Sequence, residues 1–349
     1  MQTLSDLTKQ LAAGGEEISE KIWIQIEHAR LGRTQNDKPF YDLEVVDGQG
    51  KARFKIWSET EAFAVCRDLK EGDSCELSGR FFVNAYGLNV NRPALRHLTD
   101  AEMELFLAGS PEVLKQNQEN WNYLLGIVSG LKDSRLKEVA SLALESNEKK
   151  WRRAAAARNY HHARRGGLLE HTSQMLRCAV ALAPLYPEVT PDLLYCGVLF
   201  HDVGKLWEND YPEKGFVSKP NRTGELIGHI SIGIEVVNKY WNQAKEQHPE
   251  LFGEAVSPPS DVLRDHLLHL IASHHGSREF GSPVTPRTPE GWLLHHIDNL
   301  DAKIEMLRCA YAGKEQVVPG LFEIRRPLEG LSALPLSQYT SEAGDGDGA

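Results

Sequence analysis

No run of apolar residues in the chain approaches the ~18 that would cross a bilayer, so no transmembrane helix and no membrane partner are expected. The first residues, Met1 to Asp6, lack a basic stretch followed by an apolar one, and no signal peptide is expected. The five cysteines, Cys66, Cys75, Cys178, Cys196 and Cys309, are scattered and include no CxxC pair. That spacing points neither to a disulfide framework nor to a thiolate zinc site, and it suits a reducing cytoplasm. Cationic excess is missing too: 39 Lys and Arg against 49 Asp and Glu leave a net charge of -10. Such a chain is not drawn bodily to nucleic acid or to an anionic membrane, and only a local basic surface could do so. Histidine, by contrast, is plentiful. Of 14 histidines, all but His28 and His97 lie between residues 161 and 296, the kind of bunching a metal-centred site needs.

With 349 residues the chain exceeds one ordinary core, and a multidomain protein is expected. Residues 1–19 read as a polar, helix-prone leader closed by Gly14-Gly15. From Lys21 the pattern alternates, with Ile22, Ile24 and Ile26 interleaved by Trp23 and Gln25. Further strands are predicted at Phe40–Val46, Ala52–Trp57, Ser74–Phe82 and Gly87–Val90, with turn signals between them and a short helix near Glu59–Asp68. Five strands with a helix between the third and fourth predict an all-β OB-fold closed into a small barrel over residues 20–98. After Asn91-Arg92-Pro93 the pattern turns helical, predicting a connector over 99–158 and an all-α domain over 159–312. Residues 208–226 and 246–261 read as loops. Residues 313–349 read as irregular, ending in an acidic, glycine-rich tail, Ser341–Ala349, expected to be disordered.

Four clusters in the helical half carry chemistry: His171 in Gly166-Gly167-Leu168-Leu169-Glu170-His171-Thr172, then His201-Asp202-Val203-Gly204-Lys205, then Gly228-His229-Ile230, then Ser273-His274-His275-Gly276, followed by Asp298. Imidazoles and carboxylates together suit Mn, Fe, Co, Ni or Zn acting as Lewis acids. Adjacent helical side chains diverge by about 100°, so the His201-Asp202 pair can approach a metal from two sides and the carboxylate can bridge two ions. Lys205, three residues on, shares the face of Asp202 and is placed to hold a phosphate oxygen. An ordered string of this length is not what independent core histidines would keep.

These words resemble the HD superfamily of metal-dependent phosphohydrolases. With Asn159-Tyr160-His161-His162-Ala163 ahead of them, Ile297-Asp298-Asn299-Leu300-Asp301-Ala302 behind, and an OB-fold in front, they resemble the YhaM family of 3′-to-5′ exoribonucleases over roughly residues 20–310. The resemblance implies an all-α HD domain that removes nucleotides from the 3′ end of single-stranded RNA or DNA with Mn-like ions, two in number. It implies a first ion on His171, His201, Asp202 and Asp298, and a second on His229 and one or both of His274 and His275, with Asp202 bridging. Asp202 and Lys205 would be the catalytic pair. Asp301, three residues from Asp298, competes with it for the ligand role.

His161, His162, Arg164 and Arg165 precede the Gly166-Gly167 turn and are candidates for phosphate contacts at the site mouth; His266, His269, His295 and His296 read as ordinary surface or core residues. On the barrel, Arg53, Lys55, Arg80 and Tyr86 are the candidate substrate-binding surface, because bases stack on rings and cations follow the backbone. Phe40 and Phe82 are expected in its core. Two other readings keep part of this pattern: a phosphohydrolase of nucleotides or cyclic nucleotides, and a nucleic-acid-binding protein that does not cleave. The glycine-tyrosine-proline extension of cyclic-di-GMP phosphodiesterases is missing after Gly276, where Ser277-Arg278-Glu279-Phe280 follows. Nothing in the sequence fixes the oligomeric state, and a homo-oligomer stays open.

Overall fold

The computed structural model describes residues 2–12, 17–48, 50–84, 87–157, 164–213, 215–216, 219–253, 256–311, 316–324 and 328–336. His161, His162 and Tyr86 lie outside them, as does the tail Ser341–Ala349.

A short helix α1 (Leu4–Ala12) precedes β1 (Ile18–Arg33), β2 (Pro39–Val46), β3 (Lys51–Trp57), a one-turn helix α2 (Ala62–Val65), β4 (Ser74–Asn84) and β5 (Gly87–His97). The strands form one antiparallel sheet in the order β3-β2-β1-β4-β5. Strand alternation drives Ile22, Ile24, Ile26, Leu43, Val45, Phe54, Ile56, Leu77 and Phe81 to one side, where they meet Leu4, Leu7 and Leu11 of α1. Two expectations are corrected. The sheet is open, since among the described residues no ladder joins β3 to β5; closing it would need a long-range pairing that local patterning does not encode. Phe40 and Phe82 are half-buried outside the core. Parity decides it: Cys75, Leu77 and Phe81 share the buried face of β4, while Phe40 faces outward with Trp57, their rings 5.3 Å apart.

Helices follow: α3 (Asp100–Ala108), α4 (Pro111–Ser129), α5 (Ser134–Trp151), α6 (Gly167–Leu182), α7 (Pro191–Phe200), the four-residue α8 (Lys205–Glu208), α9 (Arg222–Gln247), α10 (Ser260–Ser273) and α11 (Pro289–Tyr311). One apolar core spans α4 to α11, from Trp121 to Ile297. The segment expected as a loop over 208–226 contains a two-residue hairpin, β6 (Asn209–Asp210) with β7 (Lys219–Pro220), and the start of α9. The C-terminal segment expected to be irregular forms a small sheet of β8 (Gln316–Val318), β9 (Leu321–Glu323) and β10 (Leu331–Ala333), sealed by Phe322 against Tyr311. Among the described residues no helix is long and apolar enough to cross a membrane.

The sheet and the helices meet through the segment after α8. Phe216 donates its backbone N–H to Gln25 Oε1 at 2.7 Å, and its ring packs edge-on against Phe106, which in turn meets Trp23.

A buried ion pair anchors α5. Arg135 reaches both carboxylate oxygens of Asp133, at 2.7 and 3.1 Å, and donates to Pro258 O at 2.7 Å and Ser260 Oγ at 3.1 Å. Asp133 also caps α5 by accepting from the Arg135 and Leu136 amides. Asp133→Ala leaves a buried guanidinium without its carboxylate, and urea unfolding is expected to show a loss of about 3–5 kcal/mol. Burial opposes the Asp133 charge, but Arg135 outweighs it and holds the carboxyl below its ordinary value. This contribution is therefore fully present above the unfolded carboxyl's pKa of ~3.9 and is lost as pH falls through the depressed folded value. An unfolding free energy within 1 kcal/mol of the unaltered chain would contradict the assignment.

Candidate metal centre

The histidine string converges. His171 projects from α6, His201 ends α7, His229 stands on α9, His274 ends α10, and Asp298 lies on α11. One donor atom from each of His171, His201 and Asp298 lies within 4.8 Å of the others, and the same holds for His229, His274 and His275. Asp202 stands between the two groups. Its Oδ2 is 3.3 Å from His201 Nε2, and its Oδ1 is 3.3 Å from His229 Nε2 and 3.7 Å from His274 Nε2. His171 Nε2 is 3.3 Å from Asp298 Oδ1.

Local chemistry fixes which nitrogen faces inward. His201 and His274 each follow the last turn of a helix, and each Nδ1 lies on the carbonyl three residues back, Val198 O at 2.8 Å and Ile271 O at 2.7 Å. A carbonyl only accepts, so Nδ1 carries the proton and Nε2 presents a lone pair. His275 is set the same way by Phe280 O at 2.7 Å. Behind His171 Nδ1 stands Asp301 at 2.7 Å, and behind His229 Nδ1 stands Glu208 at 3.3 Å. His295, read from sequence as ordinary, donates from Nδ1 to His274 O at 2.9 Å and so buttresses the end of α10.

Buried polar atoms ordinarily find partners. Here the Nε2 atoms of His201, His229 and His274 and Oδ1 of Asp202 are buried without a hydrogen bond, all aimed at one space. Imidazole lone pairs and carboxylate oxygens with carbonyls and carboxylates behind them are the donor set of a divalent metal site. These residues fit such an ion.

The electrostatics agree. Burial opposes the Asp202 charge, yet Lys205 and His201 beside it hold its carboxyl well below the usual carboxylate range. Burial also opposes a proton on His171, yet Asp298 and Asp301 raise its pKa to about 9, so those carboxylates demand positive charge there. Burial and the neighbouring His275 and His201 rings push His274 far down, into the neutral form that ligates.

Two glycines make the close approach that assembles this pocket. A Cβ on Gly204 would lie 1.9 Å from His229 O, and one on Gly224 would lie 2.0 Å from Glu208 O, so α8 and α9 touch backbone to backbone. Gly228 has φ +70° and breaks α9 just before His229, a turn that an L side chain resists. Gly204, Asp301, Glu208 and His295 were not assigned roles from sequence; only Asp301 had a signal, its spacing from Asp298.

Lys205 Nζ is 2.7 Å from Asp202 Oδ2 and also donates to Ala156 O. Arg164 is bidentate on Glu170 and reaches Glu305 at 2.8 Å, tying α6 to α11. Arg165 donates to the carbonyls of Pro212, Glu213 and Gly215. Arg53 pairs with Asp42, Lys55 lies 5.2 Å over the Phe40 ring, and Arg80 is exposed on β4. These sheet residues are remote in sequence from the histidines and do not join their cluster.

Asp301→Ala is expected to weaken divalent-metal affinity about 10–100-fold by removing the acceptor behind His171. Competitive titration against a coloured chelator measures it, and unchanged affinity would remove Asp301 from the site.

The HD domain family model matches residues 168–303, the span from just before His171 to just after Asp301. The chain is similar over most of its length to proteins named 3′-5′ exoribonuclease YhaM. It is 31% identical over 317 residues to that of Geobacillus sp., covering 89% of each chain. It is 33% identical over 313 residues to that of Shouchella clausii, covering 87% of this chain and 88% of the relative. It is 29% identical over 322 residues to that of Bacillus subtilis, covering 89% and 92%.

Proposed function

Since the chain belongs to the YhaM family of 3′-to-5′ exoribonucleases, we propose that its metal centre hydrolyses single-stranded RNA from the 3′ end, one nucleotide at a time. The observation that carries this reading is Asp202 standing between two three-residue donor groups, with histidine nitrogens beside it aimed inward and unsatisfied. Two Mn-like divalent ions would suit such a layout: His171, His201, Asp202 and Asp298 would hold one, and His229, His274 and His275, with Asp202, the other. Ions held there would supply Lewis acidity for phosphodiester hydrolysis.

The chain's own groups do the rest. Asp301, Glu208 and the Val198 and Ile271 carbonyls hold the imidazoles in the ligating tautomer. Lys205, a buried cation whose charge Asp202 strengthens against burial, offsets charge developing on the phosphate. In this reading the reaction is cytoplasmic, residues 20–98 are the nucleic-acid-binding domain, 99–158 a helical connector whose α4 and α5 share the core of the catalytic domain, and 159–312 the catalytic domain.

The sheet order, with a helix between β3 and β4, supports an OB-type module, whose β2–β3 face ordinarily meets single strands. On that face Lys38 lies 5.0 Å over Trp57 and Lys55 lies 5.2 Å over Phe40, pairing cations with half-exposed rings. Trp57→Ala combined with Lys55→Glu is expected to raise KM for a long oligoribonucleotide tenfold or more, while hydrolysis of a small model diester stays within twofold. Equal loss on both substrates would make this face structural.

The whole reading is tested by incubating the metal-loaded protein with 5′-labelled single-stranded RNA. Stepwise shortening from the 3′ end is the expected result. Turnover of free nucleotides alone would favour a nucleotide phosphohydrolase, and binding without turnover would favour a non-cleaving protein.

A further inference from the structure

A cavity of about 470 Å³ opens beside the metal centre, between the C-terminal end of α5, α8 and the β6–β7 hairpin. Its lining brings together three cations, Lys150, Arg153 and Lys219, two rings, Trp207 and Tyr211, and one carboxylate, Asp210. In a chain with net charge -10 this is a local reversal of sign.

The cations keep donors free of buried carboxylates, although the Nε of Arg153 donates to Lys149 O at 2.9 Å. Lys150 Nζ lies 4.2 Å over the Trp207 ring and has no ion pair among the described residues. Burial, Arg153 and Lys239 all work against its charge, so it sits in positive surroundings that an anion would relieve. Arg153 meets Glu213 at 3.3 Å, but that carboxylate is 82% exposed. Lys219 pairs with Glu71 at 3.1 Å across a largely exposed contact. Pairs whose carboxylate stands in solvent are worth ~0–1 kcal/mol and yield readily to a phosphate.

Shape and composition narrow the ligand. The volume falls in the range of small-ligand pockets, ~300–1,000 Å³. Cations recognise phosphate, ring faces recognise a base, and Asp210 accepts from hydroxyl or amino groups. The position is also informative. On α8, Lys205 and Glu208 turn to the metal ligands while Leu206 and Trp207 line the cavity. Tyr211 donates its hydroxyl to Ala155 O at 3.2 Å, and the next carbonyl, Ala156 O, accepts from Lys205. One thin wall therefore separates the two spaces.

We propose that this cavity is a nucleotide subsite, in which Lys150, Arg153 and Lys219 take the phosphate and the Trp207–Tyr211 side takes the base of a nucleoside 5′-phosphate. The inference rests on the exoribonuclease reading for its biological sense. Hydrolysis with the penultimate 3′-oxygen as leaving group releases a nucleoside 5′-monophosphate, and the same unit recurs along the uncut strand.

The probe is 5′-AMP, titrated calorimetrically into the full-length protein in EDTA, so that no turnover occurs. Lys150→Ala and Lys219→Ala lie on separate elements and are tested separately, so misfolding of one leaves the other decisive. Each is expected to weaken AMP binding at least fivefold while leaving hydrolysis of bis(p-nitrophenyl) phosphate within twofold. If the subsite holds the strand, KM for an oligoribonucleotide rises in step with the AMP dissociation constant. If it holds released product, KM is unchanged and inhibition by AMP disappears. AMP affinity within twofold of the unaltered chain in both variants, or no AMP binding by the unaltered chain, overturns the proposal. A chain that binds AMP through Lys150 yet never shortens RNA would instead retain the subsite and remove the exonuclease reading.

Discussion

Asp202→Ala is expected to lower hydrolysis of single-stranded RNA by about 10³-fold or more, a barrier increase of ~4 kcal/mol, and to strip divalent metal from the purified protein. The carboxylate touches His201, His229, His274 and Lys205 at once, so its removal takes the shared acid from between both donor groups. It also leaves the Lys205 ammonium, only 13% exposed, with the Ala156 carbonyl in place of a counter-charge. Loss of one partner from such a buried pair costs about 3–5 kcal/mol, so the metal-free variant should also unfold earlier in urea. Asp202→Asn separates the effects, because the amide keeps the shape and one acceptor but not the charge. Elemental analysis and the RNA ladder provide the readouts. Near-normal metal content and rate in either variant would mean that the centre lies elsewhere.

Gly204→Ala should be nearly as damaging, although the added group is one methyl with no charge. Gly204 has ordinary helical angles, φ -61° and ψ -23°, so backbone strain is not the reason. The obstacle is a Cβ 1.9 Å from His229 O and 2.7 Å from Gly233 N, both backbone atoms of α9. Contact at van der Waals distance requires α9 to retreat by more than 1 Å, and His229 goes with it. Overpacking of this kind costs about 1–3 kcal/mol or more, and a 1 Å displacement of a reacting group costs ~10²-fold in rate. Thermal unfolding, activity and metal titration should all shift together. A variant with unchanged melting and unchanged rate would show that α8 and α9 are not locked at this point.

The convergence of the candidate ligands could largely be read from the chain, because they sit inside short words with a glycine, an acid or a second histidine beside them. Order then separated His171, His201, Asp202, His229, His274, His275 and Asp298 from histidines such as His266. Distances to groups far away in sequence could not be read. Asp298 and Asp301 share a face of α11, and only the fold shows one at Nε2 and the other at Nδ1 of His171. Glu208 looks like any acid until α9 brings His229 over it. Gly204 looks like a spacer until the carbonyl of His229 arrives. In the sheet, alternation found the strands, but the barrel closure expected from them is not there among the described residues. A ladder between β3 and β5 spans about thirty residues and is not encoded in alternation. The Phe81 and Phe82 pair turned on parity already set by Cys75 and Leu77.

The candidate ligands come from the neighbourhood of five helices, beginning at His171 and ending at Asp298. No local piece of the chain contains both donor groups. A ribosome making this protein is surrounded by RNA, including its own, and a hydrolase active while half-made would be a hazard there. Both donor groups are assembled only after Asp298 has been synthesised and folded back onto α6. On the proposed ligand set, topology alone would then place synthesis ahead of cutting.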